Sequence, residues 1–216
     1  MDTTDPVLII LEFWEACVHQ ILYARRVYPA LIFVQRSLYG VNVWQSVHPQ
    51  VNDYIHRVLQ NAKVLLDAGL VERLVVVLRD ATKPQQSPPL EAYTLYCNFV
   101  PKADIQMGHL SGDSLDQLER EFGAMILKLT LVGLPVPSTT SFSLLLITRD
   151  CDDENDQGGG VKRPALTAAL RTNNWIVENT QLPEAQSPTH VVPIKSFQAV
   201  SFVNSISITN MSFDSS

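Results

Sequence analysis

The chain has 216 residues, and 46% of them are apolar, enough for one domain with a substantial core. Its formal net charge is −6, with 16 Lys and Arg against 22 Asp and Glu. The basic residues are scattered and form no stripe of the kind that neutralises phosphates, so direct nucleic-acid binding is not expected as the main activity.

Residues 7–11 are apolar but follow Asp2 and Asp5 without a positive flank, which argues against a signal peptide. No apolar run is read as approaching the roughly 20 residues of a bilayer span. Residues 6–28 are predicted as a first helix, because Ile9, Phe13, Ala16, Cys17, Ile21, Tyr23, Ala24 and Val27 recur at helical spacing. Asp5-Pro6 supplies a cap and a proline at the first helical position, and Pro29 ends the segment. Residues 31–35 are expected as a short strand, and 38–47, with Gly40 and Asn42, as a second strand or hairpin.

His48-Pro49 opens a second helix to about residue 68. Its apolar face is Val51, Tyr54, Ile55, Val58, Leu59, Ala62, Leu65 and Leu66, and Gly69 is the stop. Leu74–Leu78 is a continuous apolar run and predicts a strand buried on both faces. A Pro/Gln/Ser loop at 84–89 precedes an alternating strand at 90–99. After a loop with Pro101 and Gly108, a third helix starts near Ser111 and Asp113. Its stripe is Leu115, Leu118, Phe122, Met125, Ile126 and Leu129, and Pro135 and Pro137 close it. Residues 140–149 alternate as a strand. The acid- and glycine-rich segment 150–160 is expected to be mobile. Short strands are expected at 173–178, 190–195 and 199–209. This order predicts an α+β fold, a mostly antiparallel sheet with helices on one face.

The residues that carry chemistry form no catalytic pattern. Cys17, Cys97 and Cys151 are odd in number and scattered, so neither a disulfide framework nor a zinc site is read, and a reducing compartment is expected. Cys17 and His19 are two apart on one helix and face different ways, so Cys17 is read as a small core residue. The acidic segment is no EF-hand: counted from Asp150, its sixth and twelfth positions are Asn155 and Val161, where Gly and Glu are required. Gly158–Gly160 lacks the lysine of a phosphate loop. The five histidines (19, 48, 56, 109, 190) show no metal-ligand pairing, and no metal or other cofactor is expected. Asn210-Met-Ser212 matches a glycosylation acceptor and is read as chance in an intracellular protein. Trp175 has two readings: a residue packing the tail onto the core, or an aromatic wall of a peptide groove.

Several segments occur together in a familiar order: "FWEACVHQILYARRVYP" followed by Phe33, then "HPQVNDYI", "VERLVVVLRD", "MILKL", "FSLLLITRD", "NNWIV" and "VVPIK". In this the chain resembles the HORMA-domain family over about residues 8–205. The resemblance is closest to the mitotic-arrest-deficient-like branch that serves as the non-catalytic accessory subunit of DNA polymerase zeta. "ILYARRVYP" and "HPQVNDYI" carry the distinction from the spindle-checkpoint branch.

The resemblance implies a single HORMA domain. It would have a core at 6–149, an acidic hinge at 150–160 and a C-terminal safety belt at 161–216 that wraps a partner's extended, proline-containing peptide. It implies no enzymatic activity and a nuclear location, with the cytoplasm as a second compartment. The implied partners are the catalytic subunit of polymerase zeta, the deoxycytidyl transferase scaffold of translesion synthesis, other HORMA-binding peptides and a remodelling ATPase. The alternative is a spindle-checkpoint protein binding a checkpoint or anaphase-promoting-complex activator peptide. Carried over residue by residue, Tyr54 and Trp175 match the aromatic contacts to the peptide, and Phe142, Leu145 and Val177 match apolar groove positions. Val191 and Pro193 match the tail sheet that binds the transferase. Ser205 and Ser207 stand at that interface where relatives carry a larger amide and an aromatic. Gly123 stands where relatives carry an arginine at a HORMA–HORMA contact, so dimerisation through that helix is not implied.

Overall fold

The computed structural model describes residues 5–83, 88–99, 112–131, 135–148, 190–200 and 203–212; at 97–99, 112–114, 190–200 and 203–212, Thr209 apart, it describes the backbone alone. The expected loop at 101–108, the hinge 150–160 with its glycines, and the strand at 173–178 lie outside these residues.

The first helix, α1 (Pro6–Ala24), begins as its sequence dictates: the Asp5 carboxylate accepts the Val7 amide at 3.1 Å and Pro6 takes the first helical position. It stops four residues before the expected end. Arg26 adopts φ 55°, and the amides of Arg26 and Val27 donate back to Tyr23 and Leu22. This is a Schellman closure with arginine where glycine is usual, so no residue type announces it. The helix also departs from expectation in another respect. It has the length and mean hydropathy (1.5) of a bilayer span, but 67% of that stretch is buried within the fold. Its neighbours α2 (Pro49–Asp67), α3 (Gly112–Leu131) and a β-hairpin enclose it, so it is a core helix apolar on nearly every side.

That hairpin joins β1 (Phe33–Leu38) to β2 (Val41–Ser46), after one 3₁₀ turn at Ala30–Ile32. Its two turn residues, Tyr39 and Gly40, both have positive φ, 51° and 69°, the type I′ geometry that matches strand twist. The inner edge of β2 meets α1 and would leave buried amides unpaired. Two side chains of α1 answer them: Gln20 Oε1 accepts from Trp44 N at 3.1 Å, and His19 Nδ1 accepts from Ser46 N at 3.4 Å. Both residues are buried. The α2 helix closes as expected, with Gly69 at φ 70° and the amides of Gly69 and Leu70 bonded to Leu66 and Leu65.

The main sheet has the order β5-β3-β4-β7-β6, with every pairing antiparallel. Its strands are β3 (Val71–Asp80), β4 (Glu91–Phe99), β5 (Thr140–Thr148), β6 (His190–Val200) and β7 (Val203–Ser212). β3 is buried on both faces, as its unbroken apolar run requires. Leu74, Val76 and Leu78 join the cluster beneath the helices, and Val75 and Val77 form a second cluster with Ala92. β6 runs past the expected 190–195, β7 is shifted from the expected 199–209 to 203–212, and the two form one hairpin docked on β4. Pro193 sits at a register shift on β6, an edge strand among the described residues, where a missing amide is tolerated.

Two contacts tie the layers together. Tyr39, at the hairpin tip, lies edge-on to both Phe13 (6.3 Å) and Phe122 (5.2 Å), which stack on each other at 3.9 Å. Its hydroxyl donates to Glu12 at 3.1 Å. Gly123 makes this docking feasible, since a Cβ there would come within 2.5 Å of the Tyr39 carbonyl oxygen. The position assigned by resemblance to a HORMA–HORMA contact is thus a buried seat for the hairpin turn. At the other end, Arg25 caps α1 and forms a bidentate pair with Glu91 of β4, Nε to Oε2 at 2.8 Å and Nη2 to Oε1. The pair is nearly enclosed, at 4% and 13% side-chain exposure. Tyr93 donates to the same carboxylate at 3.1 Å, and burial, then the Glu91 charge, push its phenol above the usual tyrosine range.

Gly123→Ala should destabilise the protein. Overpacking typically costs about 1–3 kcal/mol, more than the up to ~1 kcal/mol that alanine gains over glycine in a helix. Urea titration would show a lower midpoint at unchanged slope, and a more stable variant would contradict the close docking of the turn. Glu91→Ala should cost about 3–5 kcal/mol by leaving a buried guanidinium unpaired. The double variant Arg25→Met/Glu91→Leu should recover much of that loss in the same titration.

Candidate partner-binding edge of the sheet

β5 is the outer strand of the sheet beside β3, and among the described residues no strand pairs with its other side. Its backbone polarity follows from the register. The Ala81 amide bonds to Thr139 O at 2.9 Å, so that pair and every second one along the ladder exchange hydrogen bonds. Phe142, Leu144 and Leu146 fall at the intervening positions, and their main-chain groups point away from β3. Leu144 confirms this directly, because its amide donates to the Tyr54 hydroxyl of α2 at 3.1 Å.

The side chains beside this edge are aromatic. Phe142 lies edge-on to Tyr54, with ring centres 5.4 Å apart, and to Tyr28 at 6.1 Å. All three are half-buried. Burial, then the neighbouring Tyr54, raise the Tyr28 phenol above the usual tyrosine range. A cleft of 640 Å³ continues from Tyr28 past Tyr23, Val27 and Pro29. Leu31 and Leu131 adjoin its lining residues Ala30 and Thr130, and are 87% and 83% exposed. The arrangement provides hydrogen-bonding main chain on an open edge and an aromatic wall beside it, the components that receive an extended peptide as an added strand.

Of the residues marked from sequence, the structure brings Tyr54 and Phe142 together. Leu145 is on the other face of β5, half-buried against Val75, Val77 and Ala92. Trp175 and Val177 lie outside the described residues. Val191 and Pro193 pair with Met211 and Thr209 across the C-terminal hairpin. Ser205 and Ser207 pair with Gln198 and Ser196 on one side and with Asn98 and Tyr96 of β4 on the other. Tyr28 was missed. Its one sequence signal is an aromatic before Pro29, at the predicted end of α1.

The residues weighed for other chemistry have structural places. Cys17 is fully buried and burial holds its thiol well above the usual range, so it is an inert core residue. His19 Nδ1 accepts the Ser46 amide, and its Nε2 lies 3.8 Å from the Glu15 carboxylate. His19 holds the Glu15 carboxyl below its ordinary range against the opposing effect of burial. His48 occupies the N-cap of α2 without a side-chain capping bond. Among the described residues, no group of three or more His, Cys, Asp or Glu side chains is placed to hold a metal ion.

No family model matches the chain. It is 31% identical over 191 residues to the mitotic spindle assembly checkpoint protein MAD2B of Homo sapiens, across 87% of this chain and 82% of that one. It is 33% identical over 190 residues to the Danio rerio protein of the same name, with the same coverage. The DNA polymerase zeta processivity subunit of Arabidopsis thaliana is 24% identical over 195 residues, covering 88% and 79%. Among solved structures, a chain of a mitotic checkpoint complex superposes with a TM-score of 0.71 at 19% identity, covering 96% of this chain and 98% of that one. C. elegans HTP-2 bound to a HIM-3 closure motif gives 0.63 at 9% identity, covering 94% and 88%.

In a Cys97→Ser/Cys151→Ser background, Cys17 should resist a thiol reagent in the native state and react promptly in denaturant. Rapid native-state labelling would refute its buried placement.

Proposed function

Since this chain belongs to the HORMA-domain family, in the group of MAD2B and the polymerase zeta processivity subunits, we propose that it is the non-catalytic adaptor of a translesion polymerase zeta. In this reading it captures an extended, proline-containing peptide of the catalytic subunit on the β5 edge. The observation that carries the proposal is the outward-facing main chain of Phe142, Leu144 and Leu146 framed by Tyr54 and the Phe142 ring. The HTP-2 structure with a bound closure motif has the same fold, which supports a peptide as the ligand class. Residues 161–216 would serve as the belt, with Trp175 and Val177 against the peptide and Leu145 on the far face of β5. Val191, Pro193, Ser205 and Ser207, on the hairpin that extends the sheet from β4, would form the second interface, toward the deoxycytidyl transferase scaffold. A remodelling ATPase would open the belt, and the complex would act in the nucleus.

A second reading, a spindle-checkpoint adaptor for an activator peptide, is favoured by the checkpoint name of the human and fish relatives. Affinity purification of the tagged chain separates the two. Recovery of a polymerase catalytic subunit supports the first, and recovery of a checkpoint or anaphase-promoting-complex activator in its place supports the second. Tyr54→Ala and Phe142→Ala should each weaken capture of the recovered peptide about tenfold or more, as for an aromatic anchor at an interface centre. Titration calorimetry alongside a melting curve would measure this; unchanged affinity in folded variants would remove the β5 edge as the site.

A further inference from the structure

The centre of the open edge is already occupied. β5 runs from Thr140 to Thr148, so Leu144 is its middle residue, and its amide is the one that donates to Tyr54 Oη. Resting on the reading that a peptide adds to this edge, we propose that the Tyr54 hydroxyl, not the Leu144 amide, is the donor the peptide meets there. The added strand would then be bonded directly at Phe142 and Leu146 and would bulge outward between them.

The geometry carries this. A phenolic oxygen that accepts one hydrogen bond keeps its own proton and can donate it onward. The path from Leu144 N through Oη to a peptide carbonyl then has two legs, 3.1 Å and ~2.8 Å for an O–H···O bond. With the bend at oxygen, amide and carbonyl stand about 5 Å apart, against about 2.9 Å in a directly paired ladder. The peptide backbone is therefore displaced by roughly 2 Å at this point, the kind of local departure made by a β-bulge. Swinging Tyr54 aside is disfavoured, because its ring is braced edge-on by Phe142 and packs against the main core. The site would thus select extended segments whose middle departs from strand geometry, and would reject uninterrupted ones. Tyr54 would be a specificity-determining residue through its hydroxyl, apart from the contact made by its ring.

Backbone amide exchange followed by NMR on the full chain tests this. The probe is the tightest binder among overlapping synthetic peptides tiling the polymerase zeta catalytic subunit. In the wild type without peptide, Leu144 should exchange at least about tenfold more slowly than Phe142 and Leu146, because among the described residues it alone of the three has an outward hydrogen bond. Peptide should then slow Phe142 and Leu146 while leaving Leu144 nearly unchanged. In Tyr54→Phe, which keeps the ring, Leu144 should exchange quickly when free and gain protection with its two neighbours when peptide binds. If Leu144 gains protection alongside its neighbours in the wild type as in Tyr54→Phe, the hydroxyl is displaced and the proposal is wrong. A bound peptide that protects neither Phe142 nor Leu146 would instead overturn the strand-addition reading, and this proposal with it.

Discussion

A helix that is apolar on nearly all its sides has to be enclosed, and the enclosure of α1 sets the arrangement of everything else. Twelve of its nineteen residues are buried, including Phe13, Trp14 and Ile21, on faces that no single neighbour could cover. Two helices, a hairpin and one face of the sheet share the task. The hydrophobic effect is indifferent to which element covers which face. The choice is made by the few polar groups buried with it.

Those groups act as locating pins. Gln20 and His19 take up the amides of Trp44 and Ser46, so β2 can lie along α1 in one register only. Arg25 and Glu91 fix the end of α1 to the start of β4, and Val136 donates to the Arg25 carbonyl, which aligns the segment leading into β5. A slip of one residue at any of these points would strand a buried donor or charge, a penalty comparable to a large share of net stability.

Strand edges follow the same logic. An unpaired edge exposes main-chain groups that attract another chain. The inner edge of β2 is answered by α1, and the far side of β4 by the C-terminal hairpin. Among the described residues, β5 keeps an outer edge on which only Leu144 is answered, by a side chain from a different layer. The aromatic cluster of Tyr28, Tyr54 and Phe142 beside it joins the segment after α1 to α2 and β5. The candidate edge is therefore a remainder of the packing, located where the enclosure of α1 stops.

Much of this was readable residue by residue. Asp5-Pro6 marked the start of α1, and Gly69 the end of α2, because caps and left-handed closures are local events with local residue preferences. The double-sided burial of β3 was written in five consecutive apolar residues, and the apolar stripe of α2 already contained Tyr54. The end of α1 was not readable, since Arg26 occupies the left-handed position without the glycine that would announce it. Nor was the need for glycine at 123, which depends on a carbonyl 84 positions earlier in the chain, at Tyr39. The sequence by itself determined the elements, because helix periodicity, strand alternation and capping act over a few residues. Only the tertiary structure decided that the Tyr54 hydroxyl meets the Leu144 amide and which edge is left unpaired among the described residues. Those outcomes depend on pairings between residues as far apart as 54 and 144, and no local preference encodes them.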